Sequence, residues 1–191
     1  MTPELQTARL LLKPLAIEDA EQIQKIFPRW EIVRYLNAVV PWPYPPDGAE
    51  NFLRKTALPE MASGVSWIWS IRPKTIPEQL IGVISLTTKP AGNRGFWIEP
   101  AWQGKGLITE ACDVVTDYWF EGLRQPLLSV PKAVANGASR RISLKQGMRI
   151  VSREEKDYVA GRLPSETWEI TAEEWRRRKQ DGRASSAGSR S

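Results

Sequence analysis

Histidine is absent from the 191 residues, and cysteine occurs once, at Cys112. The first absence excludes Ser-His-Asp and Cys-His catalysis and any histidine-ligated metal site. The second excludes a disulfide framework or a thiolate zinc cluster within one chain. No metal is therefore expected. There is also no run long and apolar enough to span a bilayer, and the opening "MTPELQTARLLLKPL" lacks the basic, apolar and small-residue order of a signal peptide. Together these predict a soluble, cytoplasmic protein with no membrane partner. What is present is 41% hydrophobic, enough for one compact domain with a core.

Charge is unevenly placed. The chain carries a net +5, and residues 176–191 account for it with six Lys or Arg against Asp181. Residues 1–175 are neutral, which reads as a single domain. The rest, "RRRKQDGRASSAGSRS", has almost no apolar residues and reads as a disordered basic tail. A solvated tail is the plainer expectation; an arm for RNA or a ribosome is the alternative, disfavoured because the body is neutral.

Periodicity marks the elements. "ARLLLKPL" (8–15) reads as a strand and 17–27 as a helix with Ala20, Ile23 and Phe27 on one face. "VVPWPYPPD" (39–47) is stiffened by its prolines. Asp47 followed by Glu50 resembles a capping box, so a helix should start there and end or bend at Pro59. "SWIWSI" (66–71) and "QLIGVISL" (79–86) read as a hairpin, and 94–99 as a further strand closed by Pro100. The helix over 107–121 carries a stripe of Ile108, Ala111, Cys112, Val115 and Trp119, on which Cys112 reads as a buried thiol. A strand at 126–130 and a short helix at 139–146 capped by Gly147 follow, and strands close the chain. Helices and strands do not alternate strictly, so the class is α+β with a mixed sheet.

The segment "EPAWQGKGLITEA" (99–111) places Gly104 and Gly106 between a strand and a helix. Glycines there let the backbone take positive φ and aim free N–H groups, with the helix dipole, at an anion such as a phosphate. A simple turn is the alternative. Leu107 after Gly106 does not fit a nucleotide-triphosphatase loop, and Thr109 stands where a dinucleotide fingerprint needs glycine.

Taken with "GFWIEPAWQGKGLITEA" and, thirty residues later, "NGASRRISLKQGM", the chain resembles the coenzyme-binding core of GNAT-superfamily N-acetyltransferases, and their RimJ/RimL branch most. The likeness extends over most of residues 5–175. It implies a mostly antiparallel sheet of about seven strands, splayed in the middle and flanked by about four helices. It implies acetyl-CoA as co-substrate, with backbone at Trp97 and Ile98 holding the acetyl carbonyl. Gln103, Gly104, Lys105, Gly106, Leu107, Ile108 and Thr109 would wrap the pyrophosphate. Asn136 and Ser139 would contact the coenzyme, the Ser139 hydroxyl protonating the departing sulfur; as a plainer role, Ser139 reads as a helix N-cap and Asn136 as a turn residue.

Many relatives carry a glutamate base where this chain has Asn93, which cannot act as one. Asp157, Tyr158 and Glu166, in the closing strands, are the alternative proton acceptors. Trp42, Tyr44, Trp67 and Trp69 are candidates to line an acceptor site, against the plainer expectation that strand tryptophans pack the core. The reaction implied is direct attack of a primary amine, a protein N-terminus or a small molecule, within a ternary complex. An acyl-CoA-binding module without turnover is the alternative, and a homodimer is left open.

Overall fold

The computed structural model describes the backbone of residues 1–90 and 92–188, with side chains as far as residue 181. Five strands form one antiparallel sheet in chain order: β1 (Leu5–Gln6), β2 (Leu10–Pro14), β3 (Ser66–Pro73), β4 (Gly82–Thr87) and β5 (Arg94–Ile98). Three more, β6 (Leu127–Ala133), β7 (Arg149–Tyr158) and β8 (Gly161–Thr171), form a second antiparallel sheet in the order β6-β8-β7. The helices are α1 (Ala20–Ile26), α2 (Trp30–Val33), α3 (Gly48–Phe52), α4 (Leu58–Ala62), α5 (Leu107–Asp117), α6 (Gly137–Lys145) and α7 (Ala172–Gly188). The α+β class and the antiparallel, centrally split sheet expected from the sequence are present, with one strand more than anticipated.

The split has a definable apex. The N–H of Asn93 donates to the Ser129 carbonyl at 2.7 Å, its Oδ1 accepts from the Ser129 N–H at 2.9 Å, and its Nδ2 donates to the Thr87 carbonyl at 3.1 Å. Beyond this stitch β5 and β6 are no longer paired, and the Lys132 ammonium lies 5.4 Å from the Phe96 ring centre. The two strands therefore run in the same direction from Asn93 and Ser129 and open a gap. Asn93, at the place of the expected base, is a structural clasp. Replacing it with alanine strands the Ser129 N–H and the Thr87 carbonyl, and we expect a loss of about 1–3 kcal/mol in urea denaturation. A loss below a few tenths would remove the clasp role.

Two cores lie on opposite faces of the five-stranded sheet. On one, Trp67, Trp69, Ile71 and Ile84 pack against Ala111, Cys112, Val115 and Trp119 of the α5 segment and Trp175 of α7. On the other, Ile68 and Val83 pack against Ile23, Phe27, Val33 and Leu53. Strand alternation makes this division: neighbours in β3 point to opposite faces.

Two local expectations change. The helix from Gly48 does not end at Pro59; a wide π turn over Leu53–Ala57 precedes it, and Pro59 falls in the first turn of α4, where a missing N–H costs little. The segment from 176, read as a disordered tail, instead continues α7 to Gly188. Trp175 is buried with its Nε1–H donating to Asp117 at 2.8 Å, Lys179 pairs with Asp117 at 2.7 Å, and Arg178 donates to the Lys145 carbonyl. Composition registered the missing apolar residues but not the single tryptophan that anchors the helix. Residues 189–191 of the tail lie outside the described residues. Among the described residues no helix is long and apolar enough to cross a membrane, and no group of three or more metal-ligating side chains gathers.

Candidate functional site

The glycine turn sits at the mouth of the gap. Gly104 and Gly106 have φ of 75° and 76°, a region that favours glycine, and Gly106 is the N-cap of α5. Among the described residues, the amides of residues 104–109 have no acceptor within the protein. That of Gln103 is bonded to the Pro100 carbonyl. Six unpaired N–H groups at a helix start form a cradle for an anion. The turn is braced from the residue before β2: Arg9 pairs with Glu110 at 2.9 Å and donates to the Lys105 carbonyl at 3.1 Å.

Below the turn is a cavity of about 380 Å³. Of the residues the sequence assigned to the coenzyme, it is lined by Trp97, Ile98, Gln103, Gly104, Gly106, Leu107, Ile108, Thr109, Asn136 and Ser139. Lys105 is not brought in; its ammonium lies over the Trp102 ring, 4.9 Å from the centre. The backbone of β5 refines the oxyanion assignment. Glu99 N–H donates to the Ile81 carbonyl of the neighbouring strand, and β5 pairs with β4 without a break in register. Alternation then turns the Trp97 amide toward β4 and those of Phe96 and Ile98 toward the gap. Gln103 Nε2 donates to the Ile98 carbonyl at 3.1 Å, which leaves the Ile98 N–H as the donor beside it.

Asn136 and Ser139 divide their roles differently from expectation. The cap of α6 is Asn136, whose Oδ1 accepts from the Ser139 N–H at 3.2 Å. Ser139 sits in the first turn, buried, with its hydroxyl freed from capping. Its Oγ accepts from Lys132 Nζ at 2.6 Å. Lys132 was missed in the sequence, because a lysine in a strand reads as solvated and no local pattern signals otherwise.

A second, largely apolar cavity of about 690 Å³ opens on the other side of β5. It shares Leu36, Phe96 and Trp97 with the first. Tyr44 lines it, edge-on to Phe27 at 4.9 Å, and burial pushes the Tyr44 hydroxyl up to about 12. The other three aromatic candidates do not line it. Trp67 and Trp69 point to the opposite face and are buried against α5, while Ile68 between them lines the cavity. Trp42 is half-exposed and rests on Trp30, 5.7 Å between ring centres.

The three expected proton acceptors also lie elsewhere. Asp157 is exposed and pairs with Arg162 at 3.7 Å. The Tyr158 hydroxyl is bonded to Ser165 Oγ at 2.7 Å. Glu166 is buried between Arg140 and Arg153. None lines either cavity. Within its sheet β7 pairs only with β8, with Asn37 bridging its Tyr158 end, and its charged side chains pair with one another, with β8 and with Glu174 of α7.

Residues 9–149 match the family described as the Acetyltransferase (GNAT) domain. Over 107 residues the chain is 31% identical to YdaF of Bacillus subtilis (strain 168), whose name gives ribosomal N-acetyltransferase as a provisional assignment. That match takes in 53% of this chain and spans 58% of YdaF. The crystal structure of ribosomal-protein-S5-alanine acetyltransferase from Vibrio fischeri superposes with a TM-score of 0.75 at 16% identity, covering 91% of this chain and 98% of that one. RimL, a ribosomal L7/L12 α-N-protein acetyltransferase solved with coenzyme A, superposes at 0.74 with 13% identity over 88% of this chain and 98% of its own. The free amides, the gap and the matched segment agree with one another: this chain is a member of the GNAT acetyltransferase family.

Proposed function

We propose that this acetyltransferase transfers the acetyl group to a primary α-amine by direct attack within a ternary complex, and that the acceptor carries an apolar group beside the amine. The observation that supports this most is the junction of the two cavities at Phe96 and Trp97. Acetyl-CoA supplies an activated acyl group on a good leaving sulfur; the protein's part is to bind, orient and supply protons. The amides of residues 104–109 fit a pyrophosphate, and the Ile98 and Phe96 amides are placed to stabilise charge on the acetyl oxygen. The Ser139 hydroxyl donates a proton to the sulfur as it leaves. Cys112 is fully buried, and burial raises its thiol above the ordinary range, which speaks against a covalent acyl-cysteine.

The acceptor reading follows from chemistry at the junction. Among the described residues, the lining of the larger cavity includes Leu15, Phe27, Val40 and Ile68, with Lys55 as its one charged side chain and no carboxylate. With no carboxylate there and Tyr44 held protonated, the amine must arrive neutral. An α-amine, near pKa 8, does so far more readily than a lysine side chain near 10.4. A polycation finds no counter-charge in that lining. The names of RimL and the S5-alanine enzyme, both acting on protein N-termini or alanine by those names, agree with an α-amine.

The test is a thiol-release assay at pH 7.5 over N-terminal peptides, amino-acid amides and polyamines. We expect kcat/KM for acceptors with a bulky apolar first residue to exceed that for spermidine by roughly 100-fold. Preference for the polyamine would overturn the acceptor reading. Tight acetyl-CoA binding without turnover on any acceptor would favour the binding-module reading that Asn93 first raised.

A further inference from the structure

Lys132 is, among the described residues, the sole buried lysine. It faces Ser139 of α6 and the Phe96 ring of β5, and no carboxylate pairs with it. Its cross-strand neighbour on β8, Glu166, has its oxygens turned to Arg140 at 2.9 Å and Arg153 at 3.3 Å. The remaining charged or titratable groups around it are Arg94 of β5 and Cys112 of α5. An ammonium buried without a counter-charge is costly, and an apolar side chain of similar volume would serve the fold better. The site, rather than the fold, accounts for it.

We propose that Lys132 is a positioning residue for acyl transfer: it orients the Ser139 hydroxyl toward the coenzyme cavity and resupplies its proton. This rests on the reading of Ser139 as the donor to the departing sulfur. A serine oxygen has one proton and two lone pairs. Lys132 Nζ donates into one lone pair at 2.6 Å, so the hydroxyl proton is directed elsewhere, and Ser139 lines the cavity. As the carbon–sulfur bond breaks and its electron pair stays on sulfur, Ser139 gives that sulfur its proton and takes one from Lys132. The proton released by the acetylated amine goes to solvent, and neutral Lys132 regains one from water once the cavity opens on product release. The exchange is balanced without any further reactant.

The pH dependence has a definite sign. Burial, and then Arg94, hold the Lys132 ammonium down to about 7, opposed by Cys112. The charged form is therefore present below about pH 7 and lost above it. Proton supply through Ser139 weakens as pH rises through that value.

The experiment compares wild type with Lys132→Gln, Lys132→Met, Ser139→Ala and the double variant Lys132→Gln/Ser139→Ala. Two readouts are used: kcat against pH, and the pKa of the thiol of bound CoA from thiolate absorbance. In Lys132→Gln we expect kcat at pH 6.5 to fall roughly 10- to 100-fold, with the descending limb near pH 7 gone. The bound thiol should titrate roughly one unit higher in Lys132→Gln and in Ser139→Ala. The double variant should be no worse than Ser139→Ala, since Lys132 acts through that hydroxyl. Thermal melts of Lys132→Gln or Lys132→Met at pH 6 should match or exceed wild type, which a structural lysine would not allow. A multiplicative loss in the double variant overturns the proposal. So does an unshifted thiol and pH limb in Lys132→Gln when Ser139→Ala is impaired, in which case the serine donor stands without the lysine. If Ser139→Ala leaves both readouts unchanged, the donor reading itself fails and the proposal with it.

Discussion

Gly104→Trp is expected to remove measurable acetyl-CoA binding in calorimetry, a loss of 100-fold or more, equal to about 2.7 kcal/mol. A Cβ built on Gly104 meets nothing within 4 Å, so the new side chain leaves the backbone into open space. Its cost to folding is the left-handed backbone, φ 75°, on the order of 1–2 kcal/mol for an L-residue. The indole instead occupies space beside the unpaired amides of residues 104–109, where a diphosphate would sit. Gly104→Ala separates the two effects, because it carries the same backbone strain with little bulk. We expect the alanine variant to retain most of its affinity and to melt like the tryptophan variant. Unchanged affinity in a folded Gly104→Trp protein would remove the anion cradle from the account.

Trp69→Ala is expected to cost about 3–5 kcal/mol of stability, read as a fall of roughly 10 °C or more in Tm. Trp69 is fully buried, stands edge-on to Tyr118 at 5.8 Å, and donates from Nε1 to the Pro3 carbonyl at 2.6 Å. Truncation leaves a large cavity and a stranded carbonyl. Whatever fraction stays folded should bind acceptor with an unaltered KM, because the side chain lies on the face away from the larger cavity. Ile68→Ala is the counterpart: one residue along the strand, it lines that cavity, and its acceptor KM should rise. A KM change in Trp69→Ala with none in Ile68→Ala would reverse the assignment of faces.

Much of the coenzyme side was legible in the chain. The glycine turn, the strand before it and the stripe Ala111, Cys112, Val115 and Trp119 are local patterns, and local patterns survive folding. Ten of the residues that the family resemblance assigned to the coenzyme line one cavity. Lys105 does not, since its neighbours fix the backbone of the turn while a long side chain goes where an aromatic face is near. The acceptor side was far less legible. Trp67 and Trp69 were candidates as aromatic residues of one strand, but residue type does not say which face of a strand meets a cavity. Asp157 and Tyr158 were placed by resemblance to the closing strands of relatives, and the edge position of their strand depends on pairing that residue order does not specify.

The sequence by itself determined the elements, the two-faced strands, the cradle of amides and the absence of histidine or paired-thiol chemistry, because each depends on residues close together along the chain. Tertiary structure alone decided that Ile68 rather than Trp67 or Trp69 borders the larger cavity, that Asn93 clasps two sheets, and that the Lys132 ammonium meets Ser139. Those three outcomes arise where β3, β5, β6 and α6 converge, and a contact between groups on separate elements is set by how faces pack, which no local periodicity encodes.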